Sequence, residues 1–183
     1  EAQLQGLPGA DRPHPAIRSA DTLHDLLLRL GDLSAPELTQ RCAGGSDQAM
    51  TFISSLLQAR RIARVAIAGE QRYIAVEDAA RYRDALGTPL PGGLPESLLE
   101  KSVDPLVALC RRYARTHGPF VAQELADRFT LPLPVVLPIL RRLCEQGRLV
   151  EGEFRPQGLH REFCDPEILQ KIRRRSLAKL RRE

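Results

Sequence analysis

The chain has 183 residues, of which 43% are hydrophobic and 27% charged, with a formal net charge of +4. That balance is ordinary for a folded globular protein, which excludes a chain disordered throughout, and no apolar run approaches the roughly 20 residues of a membrane span. Aromatics make up only 4% and tryptophan is absent, so a core has to come from Leu, Ile, Val and Ala, which points to a mostly α fold.

Residues 1–20 mix Pro, Gly and short polar residues without any period and read as a linker or a poorly ordered arm. From Thr22 the spacing becomes helical, with Leu23, Leu26, Leu27 and Leu30 on one face and Gly31 as a stop. Ser34 and Glu37 then form a capping box, the Ser34 hydroxyl accepting from the Glu37 N–H while the Glu37 side chain reaches back. This second helix should end near Gly44 and Gly45. A third helix is expected from Ser46 to Arg60, with Met50, Ile53, Leu56 and Leu57 inward. The period then changes from helical to alternating in ARVAIAG and QRYIAV, joined by a turn at Gly69 and Glu70, which makes a β-hairpin. Asp78 is placed to cap a short helix that ends at Gly87. The stretch TPLPGGLP follows as a domain boundary.

The same order then returns. Asp104 and Pro105 open a helix with Leu106, Leu109, Cys110 and Tyr113 inward and Gly118 at its end. PFVAQELADRF and PLPVVLPILRRLCEQG give a second and a third helix, with Pro138 as a potential kink. RLVEGEF and HREFC make a hairpin, and Asp165 and Pro166 start a closing helix. Sliding the chain by 87 places sets Gly31 on Gly118, Ala35 on Ala122, Glu37 on Glu124, Leu38 on Leu125, Arg41 on Arg128, Leu56 on Leu143, Arg61 on Arg148 and Asp78 on Asp165. Helix, helix, helix, hairpin, helix is the winged-helix form of the helix-turn-helix. The expected fold is therefore mostly α with small β-hairpins (α+β), as tandem winged-helix domains. The boundaries are an arm at 1–20, a first domain at 21–87, a Pro/Gly-rich linker at 88–103 and a second domain at 104–183, whose closing helix spans 165–183.

That closing helix holds the whole charge excess: seven positive and three negative side chains lie in 165–183, and the preceding 164 residues sum to zero. On a helical projection Ile168, Leu169, Ile172, Ser176, Leu177 and Leu180 share one half, interrupted by Arg173 and Lys179. Lys171, Arg174, Arg175, Arg181 and Arg182 fill the other. Such a ridge can be a solvated face or a membrane-surface helix. It can also contact phosphates by displacing counterions, although no Trp or Phe is present to anchor it in a bilayer. Base reading by the third helices has little to work with. The first exposes Asp47, Gln48, Thr51, Ser54, Ser55 and Gln58, while the second leads with Pro134, Val135, Val136, Leu137 and Pro138. Arg141 and Arg142, further along, suit a backbone phosphate.

No nucleotide-binding loop, nucleophile elbow or zincin motif occurs in the sequence. His14, His24, His117 and His160 form no triad, and Glu151 and Glu153 read as ordinary wing residues. The four cysteines, Cys42, Cys110, Cys144 and Cys164, make no C-x-x-C pair, and with no secretory signal they suit reduced thiols in a cytoplasmic protein. His160 with Cys164 is the nearest approach to a metal site, and it lacks further clustered ligands. The chain opens at Glu1 rather than methionine, as an excerpt of a longer protein would.

The segments EGEFRPQGLHREFCDPEILQKIRRRSLAKLRRE, RVAIAGEQRYIAVEDAARYRDALG and RRYARTHGPF resemble the large helicase-related (Lhr) family of bacterial superfamily 2 helicases, over roughly residues 22–183. The resemblance implies a piece of the C-terminal region of an ATP-dependent DNA translocase, where tandem winged helices precede a module similar to DNA glycosylases. It carries no ATPase or glycosylase residue onto this chain. The expectation is a non-catalytic segment with no cofactor of its own, contacting DNA backbone or scaffolding DNA repair through Lys171, Arg174, Arg175, Arg181, Arg182, Arg141 and Arg142. The alternatives are a protein-interaction or oligomerisation module, packed on the helicase core or on another copy of the chain, and a support for an adjacent glycosylase-like module.

Overall fold

The computed structural model describes residues 16–155 and 161–180, the last three as backbone only. They form two compact units, a first within residues 14–109 and a second within 110–183.

The first unit begins with α1 (Ala20–Leu30), capped by Ser19, whose hydroxyl accepts from the Thr22 N–H at 3.1 Å. Strand β1 (Leu33–Ser34), α2 (Ala35–Arg41) and α3 (Gly45–Gln58) follow, then the wing strands β2 (Ile62–Ile67) and β3 (Glu70–Ala75), and α4 (Ala79–Leu86). The Ser34–Glu37 capping box forms as read: the Glu37 carboxylate accepts from the Ser34 N–H at 2.8 Å and the Ser34 hydroxyl accepts from the Glu37 N–H at 3.4 Å. β3 is the central strand, with β1 and β2 antiparallel on either side. Ile67 pairs with Glu70, so the wing turn is Ala68–Gly69, one residue earlier than the sequence suggested. Both turn residues have positive φ, 54° and 73°, as a type I′ hairpin requires. The core gathers Leu23, Leu27, Leu38, Ala49, Ile53, Leu56, Ile62 and Tyr73. Ile17, assigned by sequence to the N-terminal arm, is fully buried there and bonds through its N–H to the Arg41 carbonyl at 2.8 Å.

A buried polar knot ties β3 to α4. The Arg72 guanidinium donates to Asp32 at 2.8 Å. The Tyr82 hydroxyl donates to the same carboxylate at 2.9 Å and accepts from the Asp32 N–H at 2.7 Å. All three residues are buried, so the charges are paired as burial demands. Asp78, expected to cap α4, makes no side-chain cap and instead pairs with Arg81.

Helix α5 (Pro105–Thr116) spans the division between the units, and the second unit continues with α6 (Ala122–Phe129), α7 (Leu133–Glu145), strands β4 (Val150–Gly152) and β5 (Glu162–Cys164), and α8 (Pro166–Leu180). Phe120 bridges Phe163 by two backbone bonds of 3.0 and 2.7 Å, as Leu33 pairs with Tyr73 in the first unit. Leu33 to Phe120 is a step of 87, whereas Tyr73 to Phe163 is a step of 90, so the second wing carries three extra residues between its strands. The gapless alignment therefore fails beyond the wing, and Asp78 and Asp165 are not equivalent positions. Asp165 does cap: its carboxylate accepts from the N–H groups of Glu167 at 2.8 Å and Ile168 at 3.3 Å.

The wing of the second unit is held by a buried acid. Glu162, 1% exposed, accepts from the backbone N–H groups of Phe154 at 2.8 Å and Arg155 at 2.9 Å and pairs with the Arg155 guanidinium. Arg155 also reaches Glu124 at 3.1 Å, on the first turn of α6.

Candidate nucleic-acid interface

The candidate surface lies on α7 and α8. α8 can form because Asp165 satisfies its first N–H groups, and Ile168, Leu169 and Ile172 are half-buried. The docked face is shorter than the projection implied: Ser176 and Leu177 are exposed, Leu177 by 56%. Lys171, Arg174 and Arg175 are exposed, as predicted. Arg173, which the projection placed among the apolar residues, is exposed with them. The docked face ends near Ile172, so one more turn of cations is free to face water.

Lys171 approaches Glu167 only at 3.9 Å, a solvated i,i+4 pair that holds little of its charge. Among the described residues Arg173 and Arg174 have no carboxylate partner. Arg181 and Arg182 lie outside the described residues. On α7, Arg141 and Arg142 are exposed on the same side as Pro134, Val135 and Pro138. The helix runs from Leu133 straight through Pro138. The N–H that Pro138 lacks would have met the Pro134 carbonyl, and both prolines sit on the exposed face where water can take that acceptor.

The third helix of the first unit is chemically different. Asp47, Thr51, Ser54, Ser55 and Gln58 are exposed as expected, but Met50 is 41% exposed and Ala49 takes its place in the core. Ala49 and Met50 both fit a helical step from Ile53, so periodicity alone allowed either, and the smaller side chain is the one that lies in the core.

Cys164 is fully buried, and burial pushes its thiol up to about 12; the same cause takes Cys110 to about 12. A buried thiol so far from ionising is a poor nucleophile. His160, its suggested companion, lies outside the described residues. Glu151 is paired with Arg161 at 3.3 Å, as a wing residue commonly is. Among the described residues no group of three metal-ligating side chains occurs, and no helix is long and apolar enough to cross a membrane.

Two three-helix units, each with a wing and the second with an exposed cationic closing helix, define a tandem winged-helix segment. Residues 1–101 match the winged-helix domain of the large helicase-related protein. Over 180 residues the chain is 41% identical to the "Lhr helicase/ probable uracil glycosylase" of Mycolicibacterium smegmatis, covering 98% of this chain and 12% of that protein. Over 177 residues it is 35% identical to the "Lhr helicase/uracil glycosylase" of Escherichia coli K12, covering 97% of this chain and 11% of that protein. The chain belongs to the large helicase-related protein family and spans about a ninth to an eighth of the length of these relatives.

Proposed function

We propose that this segment is a non-catalytic part of an ATP-dependent, DNA-repairing helicase of the cytoplasm, and that it contacts the nucleic-acid backbone without reading sequence. One relative is named an Lhr helicase and probable uracil glycosylase and the other an Lhr helicase/uracil glycosylase, and both names point to work on nucleic acid. The observation that carries the reading is the exposed run Lys171, Arg173 and Arg174 on α8, with the two arginines unpaired among the described residues. Cations held out on a helix, with no acid to neutralise them, gain most from a polyanion whose counterions they release. Arg175, Arg181 and Arg182 extend the same run along the chain, and Arg141 and Arg142 supply a second group on α7.

The test is DNA binding by the intact chain against salt. Replacing Arg173 and Arg174 with Gln should weaken binding to single strands and flatten the log–log salt slope by roughly 0.7 for each phosphate no longer neutralised. Unchanged affinity and slope would refute it.

A second reading rests on α7. Its leading face presents Pro134, Val135, 42% exposed, and Pro138, which offer nothing to a base edge and suit an apolar protein surface. On that reading α7 packs against the helicase core or a second copy of the chain, and the cations flank the contact.

A further inference from the structure

The two units end their third helices with the same turn but with different residues. In the first, the Arg61 N–H returns to the Leu56 carbonyl at 2.9 Å, and Arg60 sits between them with φ 53°. In the second, the Arg148 N–H returns to the Leu143 carbonyl at 2.8 Å, and Gly147 holds the matching place with φ 68°. Each atom of one turn is 87 residues from its counterpart. This left-handed position after a helix favours glycine, because a Cβ crowds the neighbouring carbonyl there. A Cβ at Gly147 would meet nothing within 4 Å, so packing does not dictate the difference between the copies. The first unit keeps a strained arginine where its own repeat uses glycine. Strain retained in this way points to a task for the side chain.

Arg60 and Arg64 line a groove of about 390 Å³ whose apolar surface includes Leu57, Ile62, Pro91 and Leu94. Arg60 donates to the Gly93 carbonyl at 3.3 Å, and the Arg64 guanidinium lies 5.9 Å from the centre of the Tyr73 ring. Among the described residues neither has a carboxylate partner, although their neighbours do: Arg61 is held by Asp21 and Arg72 by Asp32 and Glu70. Two cations beside an apolar floor match a group that is anionic at one end and apolar at the other.

We propose that this groove binds one nucleotide unit of a single nucleic-acid strand, its phosphate on Arg60 and Arg64 and its sugar and base against Leu57, Ile62 and Leu94. The volume is that of a small-ligand site, about 300–1,000 Å³, as one nucleotide unit needs. The inference rests on the reading that the segment contacts nucleic-acid backbone, and adds a site in the first unit to the cations of the second.

The experiment titrates a labelled oligothymidylate into the intact chain, Arg60→Gly, Arg64→Gln and the Arg173→Gln/Arg174→Gln double variant at several salt concentrations, with a thermal melt of each. Arg60→Gly is expected to melt above wild type yet bind at least about fivefold more weakly, with the salt slope reduced by roughly 0.7 for each phosphate set free. Arg64→Gln should weaken binding without raising the melt. Wild-type binding by both groove variants overturns the groove, while weaker binding by the α8 variant keeps the broader reading alive; wild-type binding by every variant removes both. An Arg60→Gly chain that melts lower than wild type denies the strain on which the inference stands. A polyglutamate probe whose binding depends on Arg60 while that of the oligothymidylate does not assigns the groove to acidic peptide and overturns the nucleotide.

Discussion

Replacing Glu162 with Gln tests how the second wing is held. The carboxylate is 1% exposed and accepts from two backbone N–H groups and the Arg155 guanidinium, so both oxygens are in use. Glutamine keeps the shape but turns one oxygen into an amide donor. That donor must face either the Arg155 guanidinium or the N–H groups of Phe154 and Arg155, all of them donors themselves. One charge-assisted bond disappears, about 1.5–3 kcal/mol, and a buried donor is left unmatched. Arg155 keeps Glu124 at 3.1 Å, so the full 3–5 kcal/mol or so of an orphaned buried charge is not reached. About 2–3 kcal/mol is the expected loss, enough to lower the melting of a unit this size by roughly 10 °C or more.

The loss should be local and pH-dependent. Hydrogen exchange on the intact chain should quicken in β4 and β5 and stay unchanged in β2 and β3, which share no partner with Glu162. Burial alone would push the Glu162 carboxyl up, but the Arg155 bond and the two backbone N–H bonds outweigh it and hold it below its ordinary value. A carboxylate lowered on folding adds stability that is complete above the ordinary glutamate range and fades as the pH falls through the folded value. The gap between wild type and Glu162→Gln should therefore be full at neutral pH, begin to narrow as the pH falls into the ordinary glutamate range, and close only below the lowered folded value. A variant within about 0.5 kcal/mol of wild type at pH 7, or a gap that widens in acid, would refute the clamp.

Tyr82→Phe should destabilise the first unit by about 2–3 kcal/mol in urea denaturation, because the Asp32 N–H loses its acceptor and the Asp32 carboxylate loses a donor beside Arg72. Ala68→Asn should raise stability by about 0.5–1 kcal/mol, since the turn holds Ala68 at φ 54° and Asn-Gly is the preferred type I′ pair; a lower urea midpoint would contradict that geometry. Asp165→Ala should cost α8 about 1 kcal/mol and speed exchange at the Glu167 and Ile168 amides, whereas Asp78→Ala should leave the first-turn amides of α4 as they were.

Local chemistry was legible in the sequence. The Ser34–Glu37 box, the Asp165 cap, the two wings and the exposure of Arg141, Arg142, Lys171, Arg174 and Arg175 follow from spacing within a few residues. What escaped depends on distance along the chain. Asp32 meets Tyr82 across 50 residues and Arg72 across 40, and no local period announces such a knot. Asp78 resembled a cap because it stands just ahead of a helical stretch, but its carboxylate is taken by Arg81, and strand register shows that three residues separate it from equivalence with Asp165. Arg173 was misplaced because a helical projection assumes that the whole length of α8 docks. Arg60 was legible in principle: the same 87-residue step that exposed the repeat puts it on Gly147, but that mismatch carries meaning only once φ is known.

The cations singled out on the third helices and wings of the two units are not copies of one another. Ser54 and Ser55 of α3 stand where α7 has Arg141 and Arg142, while Arg60 and Arg64 stand where the second unit has Gly147 and Glu151. A tandem that bound phosphates twice in the same way would keep the same positions charged, since the backbone is shared. Here the third helices and wings are charged at different places, the first unit at Arg60 and Arg64 and the second at Arg141 and Arg142, whereas on the closing helices the three-residue shift sets Arg81 and Arg83 against Lys171 and Arg173. On the reading proposed above, the duplication has therefore produced two different backbone contacts on one scaffold. The effects of Arg64→Gln and of the Arg173→Gln/Arg174→Gln pair on binding should then add, because the groups share no partner.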